Sequence, residues 1–147
     1  RLQDKIQIVV VWDWEDMDYL RSLDIENKVY FTWWKPFLEA LAYQKQFDIH
    51  YHTSNPWWWL ATTLLQAMYF WCLIVATPNE WATDVLVDWE NAIVLKDSSL
   101  SEIKRGLEEW ISLVWKKDEW IWKNKEIIEN QFQWKKNIKE FFRIYEK

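Results

Sequence analysis

Glycine is almost missing from this chain. There is 1, Gly106, in 147 residues, where average usage of roughly 7% would supply about 10. The scarcity leaves tight turns and left-handed backbone positions without the residue that adopts them at no steric cost. Cysteine is equally scarce: Cys72 stands alone, which excludes a disulfide framework and a CxxC metal pair. A basic excess is lacking too. The net charge is −5, so the electrostatic footprint of a nucleic-acid binder is absent and no nucleic-acid partner is expected. The one basic cluster, Lys116 to Lys147, is mixed with acids and reads as solvated helix faces. The chain begins at Arg1 rather than Met and no signal-peptide pattern follows, so it is expected to be a fragment. With half its residues apolar and 28% charged, it is expected to form a single globular domain over 1–147.

What stands in place of glycine is tryptophan, with 15 copies. These residues avoid the strand-like runs and gather at their ends. Trp12 and Trp14 follow Ile6–Val11. Trp33 and Trp34 follow Val29–Thr32, and Trp57-Trp58-Trp59 lies between Phe47–His52 and the helical stretch Leu60–Phe70. Trp71 falls where a helix C′ residue in the left-handed region belongs. Trp89 sits in Asp88-Trp89-Glu90-Asn91, a D-G-x-N turn in all but one letter. A bulky side chain at positive φ costs energy, and three consecutive Trp on a loop expose a large apolar patch. Three readings compete: a true Trp-rich surface that stacks sugars or bases, a deliberate Gly-to-Trp redesign, and a gene in which UGA encodes glycine read with a table in which UGA encodes tryptophan. The third accounts for the placement, and also for a residual glycine such as Gly106 from an ordinary codon. Its test is the nucleotide sequence: UGG at most of these positions would sink it.

The runs 6–11, 29–32, 47–52, 72–77 and 92–95 are rich in β-branched residues. Helical stretches alternate with them, near 15–23, 36–44 and 60–70, with a short helical turn over 81–86. Alternation of this kind predicts an α/β fold, a doubly wound parallel sheet with helices on both faces. Continuous apolar runs such as Ile6–Val11 predict strands buried on both sides. After Ser98 a helical C-terminal tail is expected. Ser99 or Ser101 caps a helix to about Val114, with Ile103, Leu107, Ile111 and Val114 on one face; two more helices follow near 118–129 and 135–146. The charge-free run Trp57–Thr77 is long enough for a membrane span. Thr62, Thr63 and Gln66 within it, Pro56 and Pro78 around it, and its split into helix and strand argue for the α/β reading instead.

Ligands of a doubly wound sheet bind beyond the carboxyl ends of the strands. There the loop 57–59 opens a helix at Leu60, whose free N–H groups and dipole suit a diphosphate. If 57–59 are glycines, bare backbone meets the ligand; as written, three indoles crowd it.

In order and spacing these motifs resemble the C-terminal domain of GT-B glycosyltransferases, the retaining family 4 or group 1 type. Val9-Val10-Val11-Trp12-Asp13-Trp14 parallels "vGdG", Val29-Tyr30-Phe31-Thr32-Trp33 parallels "v-x-f-x-G", and Phe47-Asp48-Ile49 through Thr53-Ser54 parallels "aDi-x-x-x-pS". Leu65-Gln66-Ala67-Met68 through Thr77 parallels "LEAmaxGxPvvat". Trp81 through Leu95 parallels "G-x-x-E-x-v-x-dg-x-nG-x-lv", and Phe132-Gln133-Trp134 parallels "fsWe", which makes Trp134 a true tryptophan. Each motif is weak alone; together they span nearly the whole chain.

The resemblance implies transfer of a sugar from a nucleotide diphosphate sugar, with no further cofactor and no metal, to a glycan or lipid acceptor held by a missing N-terminal domain. The first strand of the present domain would be missing too. It implies donor contacts at Trp12, Thr32, Trp33, Ser54, Trp57, Trp58, Trp59, Leu60, Ala61, Thr62 and Gln66, with Gln66 on the ribose; the catalytic residue stays unknown. It also implies a cytoplasmic location, at the inner face of the membrane if the full-length enzyme associates peripherally. Many members carry a pair of glutamates; here Gln66 and Trp58 stand in their places. Gln still bonds hydroxyls but carries no charge. The isolated chain is therefore expected to be inactive, and a non-catalytic carbohydrate- or nucleotide-binding domain, or a degenerate transferase, is the alternative.

Several residues have plainer readings. His50 and His52 share a strand face, but no third ligand has suitable spacing for a metal. Glu80 and Asp84 are loop acids near the cleft, Asp13 a turn residue and Ser54 a turn cap; Met68 and Phe70 are core by helical spacing.

Overall fold

The apolar runs become parallel strands, and the amphipathic stretches between them become the helices that cover those strands. The computed structural model describes residues 6–11, 17–23, 28–53, 62–78, 82–113 and 117–133. The elements run β1 (Ile8–Val10), α1 (Met17–Leu23), β2 (Val29–Phe31), α2 (Phe37–Gln44), β3 (Ile49–His52), α3 (Thr62–Tyr69), β4 (Leu73–Ala76), β5 (Ile93–Val94), α4 (Leu100–Ser112) and α5 (Lys117–Gln131). Every strand pair is parallel: β1 with β2, and β3-β4-β5 with β4 in the centre. The chain divides into two compact units, Arg1–Tyr43 and Gln44–Lys147.

In the first unit, Val9 pairs Tyr30 and Val10 pairs Phe31. The expectation that β1 is buried on both faces fails here: Ile8 is 50% exposed, and Val9 and Val10 are half-buried. Neither buried core cluster of the described residues includes a residue of β1 or β2.

The second unit meets the doubly wound expectation. Leu73, Ile74, Val75 and Ala76 of β4 are all buried. Ile74 and Ala76 face α3 through Leu64, Ala67 and Met68, joined by Ile128 of α5. Leu73 and Val75 face the other way, onto Trp110 and Leu113 of the α4 end and Trp120 of α5. Two opposed faces packed by helices explain why the strand reads as an unbroken apolar run.

Ser99 is the N-cap of α4, its hydroxyl accepting from the Glu102 N–H. Glu102 in turn accepts from the Lys96 N–H at 2.9 Å and pairs with Arg105 at 2.7 Å. The buried line on α4 is Gly106, Trp110 and Leu113, whereas Leu107 and Ile111 are half-buried and Val114 lies outside the described residues. The expected stripe is thus rotated by one position, and Gly106 is the cause. A Cβ there would meet Leu95 Cδ2 at 2.5 Å and Val75 Cγ1 at 3.0 Å, so the helix lies directly against the sheet. Gly106→Ala is expected to lower stability by up to about 2 kcal/mol, since overpacking of about 1–3 kcal/mol is set against the ~1 kcal/mol of regained helix propensity. A urea denaturation midpoint at or above the parent's would show that Leu95 yields freely.

The expected helical turn over 81–86 is a single hydrogen-bonded turn at Ala82–Val85, with Leu86 N–H donating to Ala82 O at 2.7 Å. The last expected helix, 135–146, and Trp134 lie outside the described residues. No described helix is long and apolar enough to cross a membrane; within the charge-free run, the described residues 62–77 divide into α3 and β4.

Candidate functional site

Among the described residues, every positive φ falls on a tryptophan: Trp33 at 63°, Trp71 at 68° and Trp89 at 62°. Trp71 closes α3. Cys72 N–H reaches back to Ala67 O at 3.0 Å, the long bond of a Schellman motif with Trp71 at C′. Trp89 is the third residue of the turn Val87–Glu90, with Glu90 N–H on Val87 O at 3.1 Å, a position that calls for glycine when φ is positive. Trp33 begins the loop after β2. All three are about half exposed, whereas Trp110 and Trp120 are core residues at 8% and 2% exposure. The backbone thus sets Trp33, Trp71 and Trp89, on glycine-type positions, apart from Trp110 and Trp120, packed as tryptophan; Trp34 and Trp122 are exposed without a positive φ.

In the first unit, two of the expected donor contacts lie together. Thr32 is buried; its N–H donates to Val10 O at 3.0 Å and its hydroxyl to Trp33 O at 2.9 Å. The Trp33 ring lies 4.1 Å below the Arg21 guanidinium. Trp12 lies outside the described residues.

The second unit places the rest. Ser54, Trp57, Trp58, Trp59, Leu60 and Ala61 lie outside the described residues. Thr62 and Gln66 are one turn apart on α3, hence on one helix face. Thr62 is exposed and Gln66 half-buried. The start of α3 is held by Gln44, whose side-chain amide donates to Thr63 O at 2.7 Å; Gln44 O also accepts from the buried Cys72 thiol at 3.5 Å. Burial pushes that thiol up to about 11, which removes it as a nucleophile at neutral pH.

His50 and His52 share the sheet face of Ile74 and Ala76, their register partners on β4. Their rings stack at 5.9 Å. Burial, and then the neighbouring His52, hold His50 down at about 4, and burial lowers His52. Both imidazoles are neutral at pH 7. His50 Nε2 is sealed from solvent without a hydrogen-bond partner. Among the described residues no group of three His, Cys, Asp or Glu could hold a metal, so the pair reads as a wall of the sheet edge rather than a ligand set. Asp84 and Thr83 are exposed on the turn after β4.

Sequence reasoning missed Gln44 and Asn124. Asn124 is fully buried on α5 and bonded to Asn91. A signal existed: Asn124 occupies the apolar line of Trp120 and Ile128, and a polar residue there must find a partner.

Chain comparisons agree with this architecture. The chain is 38% identical to an uncharacterised glycosyltransferase of Methanocaldococcus jannaschii over 149 residues, 99% of this chain and 38% of that protein's length. Its fold matches Anabaena HepE, crystallised with UDP and glucose, at a TM-score of 0.80 and 16% identity, covering 97% of this chain and 41% of HepE. It matches an S. aureus TarM variant in complex with fondaparinux, alpha-GlcNAc-glycerol and UDP at 0.84 and 11%, covering 99% and 30%. The C-terminal domain of the group 1 glycosyltransferase LpcC from Francisella tularensis matches at 0.70 and 18%, covering 87% and 70%. Residues 1–134 match the family of glycosyl transferases group 1, and the chain belongs to that family.

Proposed function

We propose that this chain is the donor-holding part of a glycosyltransferase that moves a sugar from a nucleotide diphosphate sugar to a glycan or lipid acceptor bound elsewhere in a longer protein. The observation that carries the reading is the β3-α3-β4-β5 arrangement. The three strands run parallel and end at the same register level, and α3 is the crossover from β3 to β4, so the positive end of its dipole is turned toward the carboxyl ends of the strands. The UDP found in the HepE and TarM crystals supports a nucleotide diphosphate as ligand class. In this reading the diphosphate lies at the start of α3, Thr62 and the preceding residues supply N–H groups, and Gln66 bonds the ribose. The sugar extends toward the turn Ala82–Val85. The dipole and free N–H groups at the start of α3 favour the diphosphate charge. A cytoplasmic protein, docked peripherally when it meets a lipid acceptor, belongs to the same reading.

Calorimetric titration with UDP, GDP, ADP and UDP-glucose tests it. One nucleotide is expected to bind weakly to the chain as written and at least tenfold more tightly once Trp57, Trp58 and Trp59 are all replaced by glycine. Absence of binding in both forms would sink donor binding and leave a degenerate transferase.

A further inference from the structure

The turn Ala82–Val85 leaves the carboxyl end of β4 and returns to β5 through Asp88–Ala92. Its return leg is organised around one side chain. Asn91 is 2% exposed. Its Oδ1 accepts from Val87 N–H at 2.7 Å, and its Nδ2 donates to Val85 O at 2.8 Å and to Asn124 Oδ1 at 2.9 Å. Asn124 answers with Nδ2 donating to Asn91 O at 3.1 Å. The two amides are thus bonded reciprocally, side chain to side chain and side chain to backbone. Asn124 has 0% exposure, between Trp120 and Ile128 on α5.

Such a pair is an unusual choice for that place. A buried amide must recover its lost hydration through hydrogen bonds, and an apolar side chain of the same size would avoid the cost. What apolar packing does not supply is direction. Leu86 against the core can slide; a carbonyl and an N–H fixed by one planar amide cannot. The network sets the backbone from Val85 to Asn91 relative to α5 and so constrains the preceding turn Ala82–Val85, which lies on the connection from β4 to β5 and exposes Thr83 and Asp84.

We propose that Asn124 is a positioning residue for the sugar half of the donor, acting through Asn91 on the turn Ala82–Val85. This rests on the donor-binding reading above. Asn124 touches no ligand itself. Its effect is expected to fall on groups that reach the turn, and to spare a nucleotide that ends at its diphosphate.

The test compares the parent chain with Asn124→Leu, titrating each with UDP and with UDP-glucose, and following amide hydrogen exchange. In the variant, UDP-glucose is expected to bind at least tenfold more weakly, while UDP changes by less than threefold. Exchange at Val87 N–H should quicken at least tenfold, with β4 amides unchanged. Equal weakening of both ligands, or equal quickening across β4 and α5, would mean loss of general stability and overturn the positioning role while leaving donor binding intact. Absence of binding of either ligand both in the parent and in the form with Trp57, Trp58 and Trp59 replaced by glycine removes the donor reading, and this proposal with it; where only the glycine form binds, Asn124→Leu is compared in that background. Should Asn124→Leu fail to fold, Asn124→Ser, shorter but polar, is read by the same two ratios.

Discussion

Glycine at Trp89 is expected to stabilise this chain by about 1 kcal/mol, while glycine at Trp120 is expected to cost at least about 4 kcal/mol. The first value follows from the left-handed backbone. A side chain there costs roughly 1–2 kcal/mol, and the greater freedom of unfolded glycine returns about 0.5–1 kcal/mol of the gain. Trp71 should gain less, because Lys125 sits 5.7 Å over its ring and Trp122 packs beside it. Trp33 should gain least: Arg21 lies 4.1 Å from its ring, an attraction of about 0.5–1 kcal/mol at an exposed site. Trp120 sits at the opposite extreme. It is 2% exposed, packed among Leu73, Val75 and Trp110. Removing a core tryptophan costs about 3–5 kcal/mol, and glycine within a helix adds ~1 kcal/mol. Denaturation curves of the four single variants, read by circular dichroism, check the order. If Trp89→Gly destabilises as Trp120→Gly does, the two populations are one, and the codon explanation loses its structural support.

The chain is also expected to lose stability on mild acidification, and His50 is the main cause. Its folded-state pKa is depressed to about 4 from 6.5 by burial and by His52. The folded state therefore holds it neutral, and the unfolded chain takes up the proton first. The stabilisation is complete above pH 6.5 and is lost as pH falls toward 4, with a slope of up to ~1.4 kcal/mol per pH unit and a total of about 3 kcal/mol. His52, also lowered, adds to the same slope. The carboxylates act lower down. Glu102, held at about 2 chiefly by Arg105, contributes stability above 4.5 that disappears between 4.5 and 2. The window from 6.5 to 4.5 thus belongs to the histidines. His50→Leu should flatten most of it and, by removing an unpartnered Nε2, leave stability at pH 7 close to the parent's. An unchanged slope in that variant would assign the acid loss to other groups.

The alternation of strands with helices and the parallel pairing were legible because they depend on local pattern. Leu73 to Ala76 reads as a doubly buried strand and is one; Ser99 reads as a cap and is one. Trp71 and Trp89 read as left-handed positions from their places in the motifs, and the backbone places them there. The failures come from tertiary context. Ile8 resembles Ile74 in sequence but has less around it. The α4 stripe is turned by a position because a missing side chain at Gly106, not an apolar one, lets the helix approach. Asn91 and Asn124 are 33 positions apart, and no local rule pairs them. The donor contacts remain a matter of resemblance. Of them, Thr32, Trp33, Thr62 and Gln66 have described geometry, and only Thr62 and Gln66 share an element.

The division between core and left-handed tryptophans also decides how this protein emits light. Trp33, Trp34, Trp71, Trp89 and Trp122 face water, whereas Trp110 and Trp120 are enclosed. Among the described rings of the chain as written, five of seven are wet and already red in emission, so unfolding moves their share of the indole spectrum little. A protein carrying glycine at Trp33, Trp71 and Trp89 would lose three wet rings and emit a larger share from Trp110 and Trp120. Its folded spectrum would lie bluer and would shift further red on denaturation. The colour of the folded protein thus reports which amino acid occupies the turns.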